Sequence, residues 1–200
     1  MVIIGLTGPS GSGKTTLCDI AKEFGIASID ADKVYHALLI PPSACVDEIA
    51  SSFGSDVLLA DGALDRTALG SIVFGDESGE KLSLLNSITH KYVKTRFIEI
   101  IDELKNKGER AVIVDAPTLF ESGFDKDCNF VIAILADGKL RRKRIISRDS
   151  LTEERANLRL SSQKPDEFFT SRADYTLYND GDVAALKAAL EKVLSERRLR

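Results

Sequence analysis

The sequence predicts an α/β protein built on a five-stranded parallel sheet flanked by helices, with a helical substrate-binding insertion and a helical lid. Three observations predict it. Short apolar runs alternate with helical patterns, the first run feeds a glycine-rich loop and then a helix, and roughly 80 residues without strand character part the second run from the third.

Residues 2–6 read as the first strand, and a helix follows the loop at about 14–24. Residues 26–29 make a short second strand, 111–114 (Ala-Val-Ile-Val) a third, 130–135 a fourth and 175–178 a weaker fifth. The last helix covers about 182–197, with Val183, Leu186, Leu190, Val193 and Leu194 as its apolar stripe. The long interval exceeds one helix and its loops, and its patterns are helical at 46–53, 66–74, 80–88 and 92–107. It reads as the insertion. Residues 139–163, arginine-rich and polar after the first turn, read as a mobile lid. With no repeat or linker, the expectation is a single domain over 1–200: core at about 1–32, 109–138 and 172–200, insertion at 33–108, lid at 139–171.

Composition narrows the class. In 200 residues, 44% hydrophobic and 29% charged, the formal net charge is −4, which disfavours a general nucleic-acid or membrane-surface binder. Arg197, Arg198 and Arg200 read as a solvated tail. Cys18, Cys45 and Cys128 are scattered, with no C-x-x-C, so neither a disulfide frame nor a zinc site is expected. There is no basic leader and no apolar stretch of about 18 residues, so the expected location is the cytoplasm. Oligomeric state is left open.

Gly8-Pro9-Ser10-Gly11-Ser12-Gly13-Lys14-Thr15 fits G-x-x-x-x-G-K-[ST], between a strand and a helix. Glycines let successive N–H groups turn inward around a phosphate, and the helix start adds its positive dipole end. Lys14 neutralises β and γ oxygens and the Thr15 hydroxyl reaches Mg²⁺. The expected ATP-binding set here is Gly8, Gly11, Ser12, Gly13, Lys14, Thr15 and Thr16. A GTPase would need N-K-x-D after an apolar strand, and the nearest match, Asn106-Lys107-Gly108-Glu109, ends in Glu behind a charged helix. A motor ATPase would carry Glu directly after the acid of its third strand, where this chain has Asp115-Ala116. A small-molecule kinase remains.

The second strand ends Ile29-Asp30-Ala31-Asp32. Carboxyl ends of parallel strands form the ligand crevice, so these acids are expected at the phosphate mouth, to hold a metal-bound water or to take an acceptor proton. The competing reading is that one of them caps a helix starting near Lys33.

From here the chain resembles dephospho-CoA kinases over most of its length. The resemblance runs through the phosphate loop, Asp30-Ala31-Asp32, Phe53-Gly54, Asp61-Gly62-Ala63-Leu64-Asp65-Arg66, Leu69, Val73-Phe74, Leu85-Asn86 and His90. It continues through Asp115-Ala116-Pro117, Leu119-Phe120-Glu121, Arg144, Arg148, Gln163, Ala173-Asp174 and Asn179. It implies ATP-dependent phosphorylation of the ribose 3′-hydroxyl of dephospho-CoA, with Mg²⁺ accompanying ATP. It further implies Asp32 as base or orienting acid, Arg66 and His90 on the acceptor side, and Arg144 with Arg148 closing on the transferring phosphate. Asn179 would lie near the adenine, and Asp115 would reach Mg²⁺ through water beside Thr15. Bland roles compete: an Asp65 partner for Arg66, a structural His90, a solvated basic face for Arg144 and Arg148. The chain departs from the family at Pro9-Ser10, Lys91 and Thr118. The first departure favours the alternative, a nucleoside or nucleoside-monophosphate kinase.

Overall fold

The computed structural model describes all 200 residues, Met1–Arg200. The chain divides into two compact units, one formed by Met1–Asp30 with Leu104–Arg200 and the other by Ala31–Glu103.

The first unit holds a wholly parallel sheet of β1 (Val2–Thr7), β2 (Ala27–Asp30), β3 (Ala111–Asp115), β4 (Phe130–Leu135) and β5 (Tyr175–Tyr178), in the order β2-β3-β1-β4-β5. Ile4, Leu6, Ile113, Ile132 and Ile134 point to one face, where they pack with Leu17, Ile20 and Ala21 of α1 (Lys14–Glu23) and Leu186, Leu190 and Leu194 of α9 (Val183–Glu196). Ala133 and Leu135 pack with Phe169 of a short helix, α8 (Asp166–Thr170), among Phe120, Phe168 and Ala173. Helices on both faces explain why the central strands are almost continuously apolar. The β1 strand lies between β3 and β4, so the loop after it opens at the point where strand order reverses, the usual ligand crevice of such sheets.

The stretch expected as a lid forms α6 (Gly138–Asp149), α7 (Glu153–Ser161) and α8. Asp137 caps α6 by accepting from Lys139 N and Leu140 N, and Thr152 caps α7 by accepting from Arg155 N. Arg141 and Ile145 of α6 are buried, so its inner face is packed from the start.

The second unit contains α2 (Ala31–Leu38), α3 (Ala44–Phe53), α4 (Arg66–Phe74) and most of α5 (Glu80–Asn106) around a core of Cys45, Val46, Ile49, Val57, Leu69, Val73 and Ile88. The helical patterns at 80–88 and 92–107 are one continuous helix. Residues 89–91 contain neither Gly nor Pro, and the Thr89 hydroxyl donates back to the carbonyls of Leu85 and Asn86 instead of breaking the ladder.

The C-terminal Arg197, Arg198 and Arg200 are exposed, in keeping with the solvated tail expected, though two of them also lie over aromatic rings. Arg197 lies 4.6 Å from the Phe130 ring centre and 5.1 Å from that of Tyr175, whose hydroxyl accepts its Nε at 2.9 Å, while Arg200 covers Phe24 at 4.6 Å.

Candidate active site

The phosphate loop runs from β1 into α1 and is held from three directions. Gly8, Gly11 and Gly13 have φ of 144°, 78° and 104°, and close neighbours forbid a side chain at each. A Cβ at Gly8 would lie 2.2 Å from the Ile134 carbonyl oxygen, one at Gly11 2.7 Å from that of Arg141, and one at Gly13 1.9 Å from Asn179 Nδ2. Within the loop Ser12 N donates to Pro9 O at 3.2 Å, and Lys14 Nζ donates to Gly8 O at 3.1 Å. The Lys14 side chain thus curls over the loop it belongs to. The Ser12 hydroxyl is fully buried and its Oγ has no hydrogen-bond partner in the chain, an arrangement that calls for a ligand.

Asn179, directly after β5, is 4% exposed and donates Nδ2 to Ser12 O at 2.9 Å. Arg144 of α6 donates Nη1 to Gly11 O at 3.2 Å and Nη2 to Asn179 O at 2.9 Å. Sequence reasoning singled out both residues, and the structure brings them together as a brace on the loop. Arg148 sits apart from that brace, bonded to Asp149 at 2.7 and 2.9 Å, with Arg159 on the same carboxylate at 2.6 Å. The Arg148 hydrogen bond, foremost, holds the Asp149 carboxyl below its usual range.

Thr15 is exposed and Thr16 half-buried in the first turn of α1. Asp115 ends β3 in register with Leu6 of β1 and with Asp30 of β2, which brings two carboxylate-bearing positions to the same end of the sheet as the loop. Burial, reinforced by the charge of Asp115, pushes the nearby Cys18 thiol up to about 12.

In the second unit Asp32 is exposed in the first turn of α2, where a carboxylate suits the helix dipole. The helix begins at Ala31, so Asp32 lies inside it and is not the cap of a helix starting near Lys33. Arg66 opens α4. Asp65 is not its ion-pair partner but the helix cap, accepting from Thr67 N at 2.9 Å and Ala68 N at 3.0 Å. Arg66 Nη2 instead lies 3.1 Å from His36 Nδ1, one turn beyond Asp32 on α2. That contact places Asp32, His36 and Arg66 together. His90 is half-buried in α5, and burial lowers its pKa. Beside it Lys91, at a position where the chain departs from the family pattern, is bound to Glu48, with the Tyr92 hydroxyl on the same carboxylate at 2.7 Å. Phe97 is buried in packing and Phe74 is 80% exposed.

Arg141 and Gln163 were not among the expected site residues. Arg141 is 8% exposed and touches the loop through Ser10 O. The pattern Arg141, Arg144, Ile145, Arg148 at helical spacing was the available signal, because it puts Arg141 on the same face as an apolar residue.

Comparison with known proteins shows the family. A family model described as dephospho-CoA kinase matches residues 2–185. The dephospho-CoA kinase of Corynebacterium glutamicum is 34% identical over 196 residues, covering 98% of this chain and 97% of its own. That of Arabidopsis thaliana is 36% identical over 199 residues, covering 99% of this chain and 84% of its own. The solved structure of the dephospho-CoA kinase from Campylobacter jejuni, 32% identical, covers 97% of this chain and 96% of that one with a TM-score of 0.68.

Proposed function

Because the chain belongs to the dephospho-CoA kinase family, we propose that its phosphate loop, Asp32 and Arg144 carry that family's reaction. ATP gives its γ-phosphoryl to the ribose 3′-hydroxyl of dephospho-CoA, leaving ADP and coenzyme A, the last step of coenzyme A biosynthesis. The observation that carries the reading is the loop Gly8–Thr15, whose three forced glycines and buried Ser12 hydroxyl make a cradle lined by donors. No helix is long and apolar enough to cross a membrane.

Loop amides and the Ser12 hydroxyl bind the β-phosphate, and the α1 N-terminus adds its dipole. Lys14 leaves Gly8 O for the β and γ oxygens, where it offsets charge on the transferring group. Arg144 contributes positive charge at the loop's edge while keeping Gly11 and Asn179 in place. Arg148 joins by exchanging the Asp149 carboxylate for phosphate oxygens. Asn179 abuts the adenine. On the acceptor side Asp32 aims the 3′-hydroxyl and accepts its proton, with Arg66 and His90 holding the rest of the acceptor.

Mg²⁺ fits the donors present. Thr15 offers an exposed hydroxyl, Asp115 a half-buried carboxylate, and no group of three or more His, Cys, Asp or Glu side chains forms a cage. An ion that keeps several waters and binds mainly through phosphates needs no more. Thr15 would hold it directly and Asp115 through water, and the ion would supply positive charge to the phosphates of ATP. The proposed setting is the cytoplasm.

Coupled ADP release against dephospho-CoA, uridine, CMP and no acceptor tests the reading. The expected kcat/KM for dephospho-CoA exceeds the others by at least about 100-fold. Comparable turnover of a nucleoside or nucleoside monophosphate would refute it.

A further inference from the structure

Arg141 is a buried cation without a close, buried counter-ion. Its one carboxylate partner, Asp166, is 3.3 Å away and half exposed, so the charge is held at a desolvation cost that the ion pair does little to offset. What Arg141 does hold is one residue of the phosphate loop. Its Nε donates to Ser10 O at 3.2 Å and its Nη2 to Gln163 Oε1 at 2.7 Å, and the same Gln163 oxygen accepts Ser10 N at 3.1 Å. Both backbone groups of Ser10 are therefore fixed by two side chains that are bonded to each other. The backbone of α6 is equally close, since the Arg141 carbonyl is what forbids a side chain at Gly11.

In a trans peptide the carbonyl and the next N–H point in opposite directions. Arg141, drawing Ser10 O toward α6, turns the Gly11 N–H away from it, and that N–H donates to no other backbone group. We propose that Arg141 and Gln163 form a positioning pair that presets the Ser10–Gly11 peptide so that the Gly11 N–H is aimed at ATP phosphate before ATP arrives. The pair acts through the loop backbone and touches no reacting atom. Setting the donor in advance removes reorganisation at binding. The pair also ties two lid segments, α6 and the stretch after α7, to the loop, so the lid's seat and the phosphate grip share one contact.

The inference rests on the reading that this loop holds ATP phosphates, and calorimetry of the full-length chain with ATP and with adenosine separates the two. Adenosine carries no phosphate, so only the phosphate-dependent part of affinity reports on the loop. In Arg141→Met the ATP Kd should rise about 10-fold or more, as for loss of a charged hydrogen bond, while the adenosine Kd stays within about twofold. Gln163→Ala should weaken ATP in the same selective way by about 3–5-fold. The double variant should lose little beyond Arg141→Met, because both side chains hold one peptide. A cooperatively melting Arg141→Met chain that binds ATP as the wild type does overturns the inference. So does an equal loss for ATP and adenosine, which would mark Arg141 as a packing residue. If Arg141→Met fails to fold, unchanged ATP affinity in Gln163→Ala overturns it instead. A wild-type chain that does not prefer ATP to adenosine removes the loop reading, and the inference with it.

Discussion

Gly13→Ala places a methyl group where the structure already has an amide nitrogen. The added Cβ would lie 1.9 Å from Asn179 Nδ2 and 3.1 Å from its Cγ, so Asn179 must move. Moving it breaks the Nδ2 bond to Ser12 O and disturbs the Asn179 carbonyl on which Arg144 rests. A buried hydrogen bond lost with its acceptor left in place costs about 1–3 kcal/mol. Gly13 also sits at φ 104°, ψ 30°, a left-handed conformation that costs a residue with a Cβ about 1–2 kcal/mol. The expected destabilisation is therefore about 2–5 kcal/mol, a large share of a stability of roughly 5–15 kcal/mol. Urea unfolding followed by circular dichroism measures it, and calorimetry with ATP measures the loop. Asn179→Ala removes the steric part, so Gly13→Ala in that background should cost only the backbone share. A Gly13→Ala chain as stable as the wild type, or a double variant whose losses simply add, would refute the steric argument.

Three further outcomes follow from named groups. Lys14→Ala should lower kcat/KM by roughly 10²–10⁴, as for loss of a comparable electrostatic stabiliser, and leave the fold intact; near-normal turnover would remove the phosphate-loop assignment. Asp32→Asn should lower kcat by roughly 10²–10⁴ while ATP affinity by calorimetry stays unchanged; weakened ATP·Mg²⁺ binding with kcat preserved would make Asp32 a metal ligand instead. Burial, chiefly, pushes the Cys18 and Cys128 thiols up to about 12, and acidic neighbours add to it. At pH 8 their thiolate fraction is then about 10³-fold below that of an ordinary cysteine. Native-state labelling with a thiol reagent at pH 8 should be correspondingly slow and should become fast in urea, and rapid labelling of the folded chain would contradict the burial.

What the sequence made legible is what local patterns and nearby motifs encode. The strands fall within a residue or so of the apolar runs, most plainly for β3 and β4, because a strand buried on both faces leaves an uninterrupted signal. The phosphate loop was legible because its glycines are required by its own backbone. Leu64-Asp65-Arg66 was recognised as a string, but its physics came from the fold: Leu64 is buried, Asp65 caps α4, and Arg66 reaches His36. That last contact joins residues 30 apart, which no helical or strand period records. Arg141 escaped for the same reason, since its partner Ser10 is 131 residues away and a run of arginines reads as a solvated face. The single helix α5 was divided at 89–91 because charged and polar residues interrupt its apolar stripe; continuous helix propensity outweighed the pattern. The C-terminal arginines are exposed as a solvated tail would be, and no local sign in the sequence shows that Arg197 and Arg200 also cover aromatic rings.

The central claim is that this chain moves the γ-phosphoryl of ATP to one hydroxyl of one acceptor. Incubation with γ-³²P-labelled ATP, Mg²⁺ and dephospho-CoA, followed by isolation of the labelled product and ³¹P NMR, tests it most directly. The account predicts one labelled product, coenzyme A, with its new phosphate on the ribose 3′-oxygen and one ADP formed per phosphate transferred. Label found only in inorganic phosphate, or on any other oxygen of the acceptor, would contradict it.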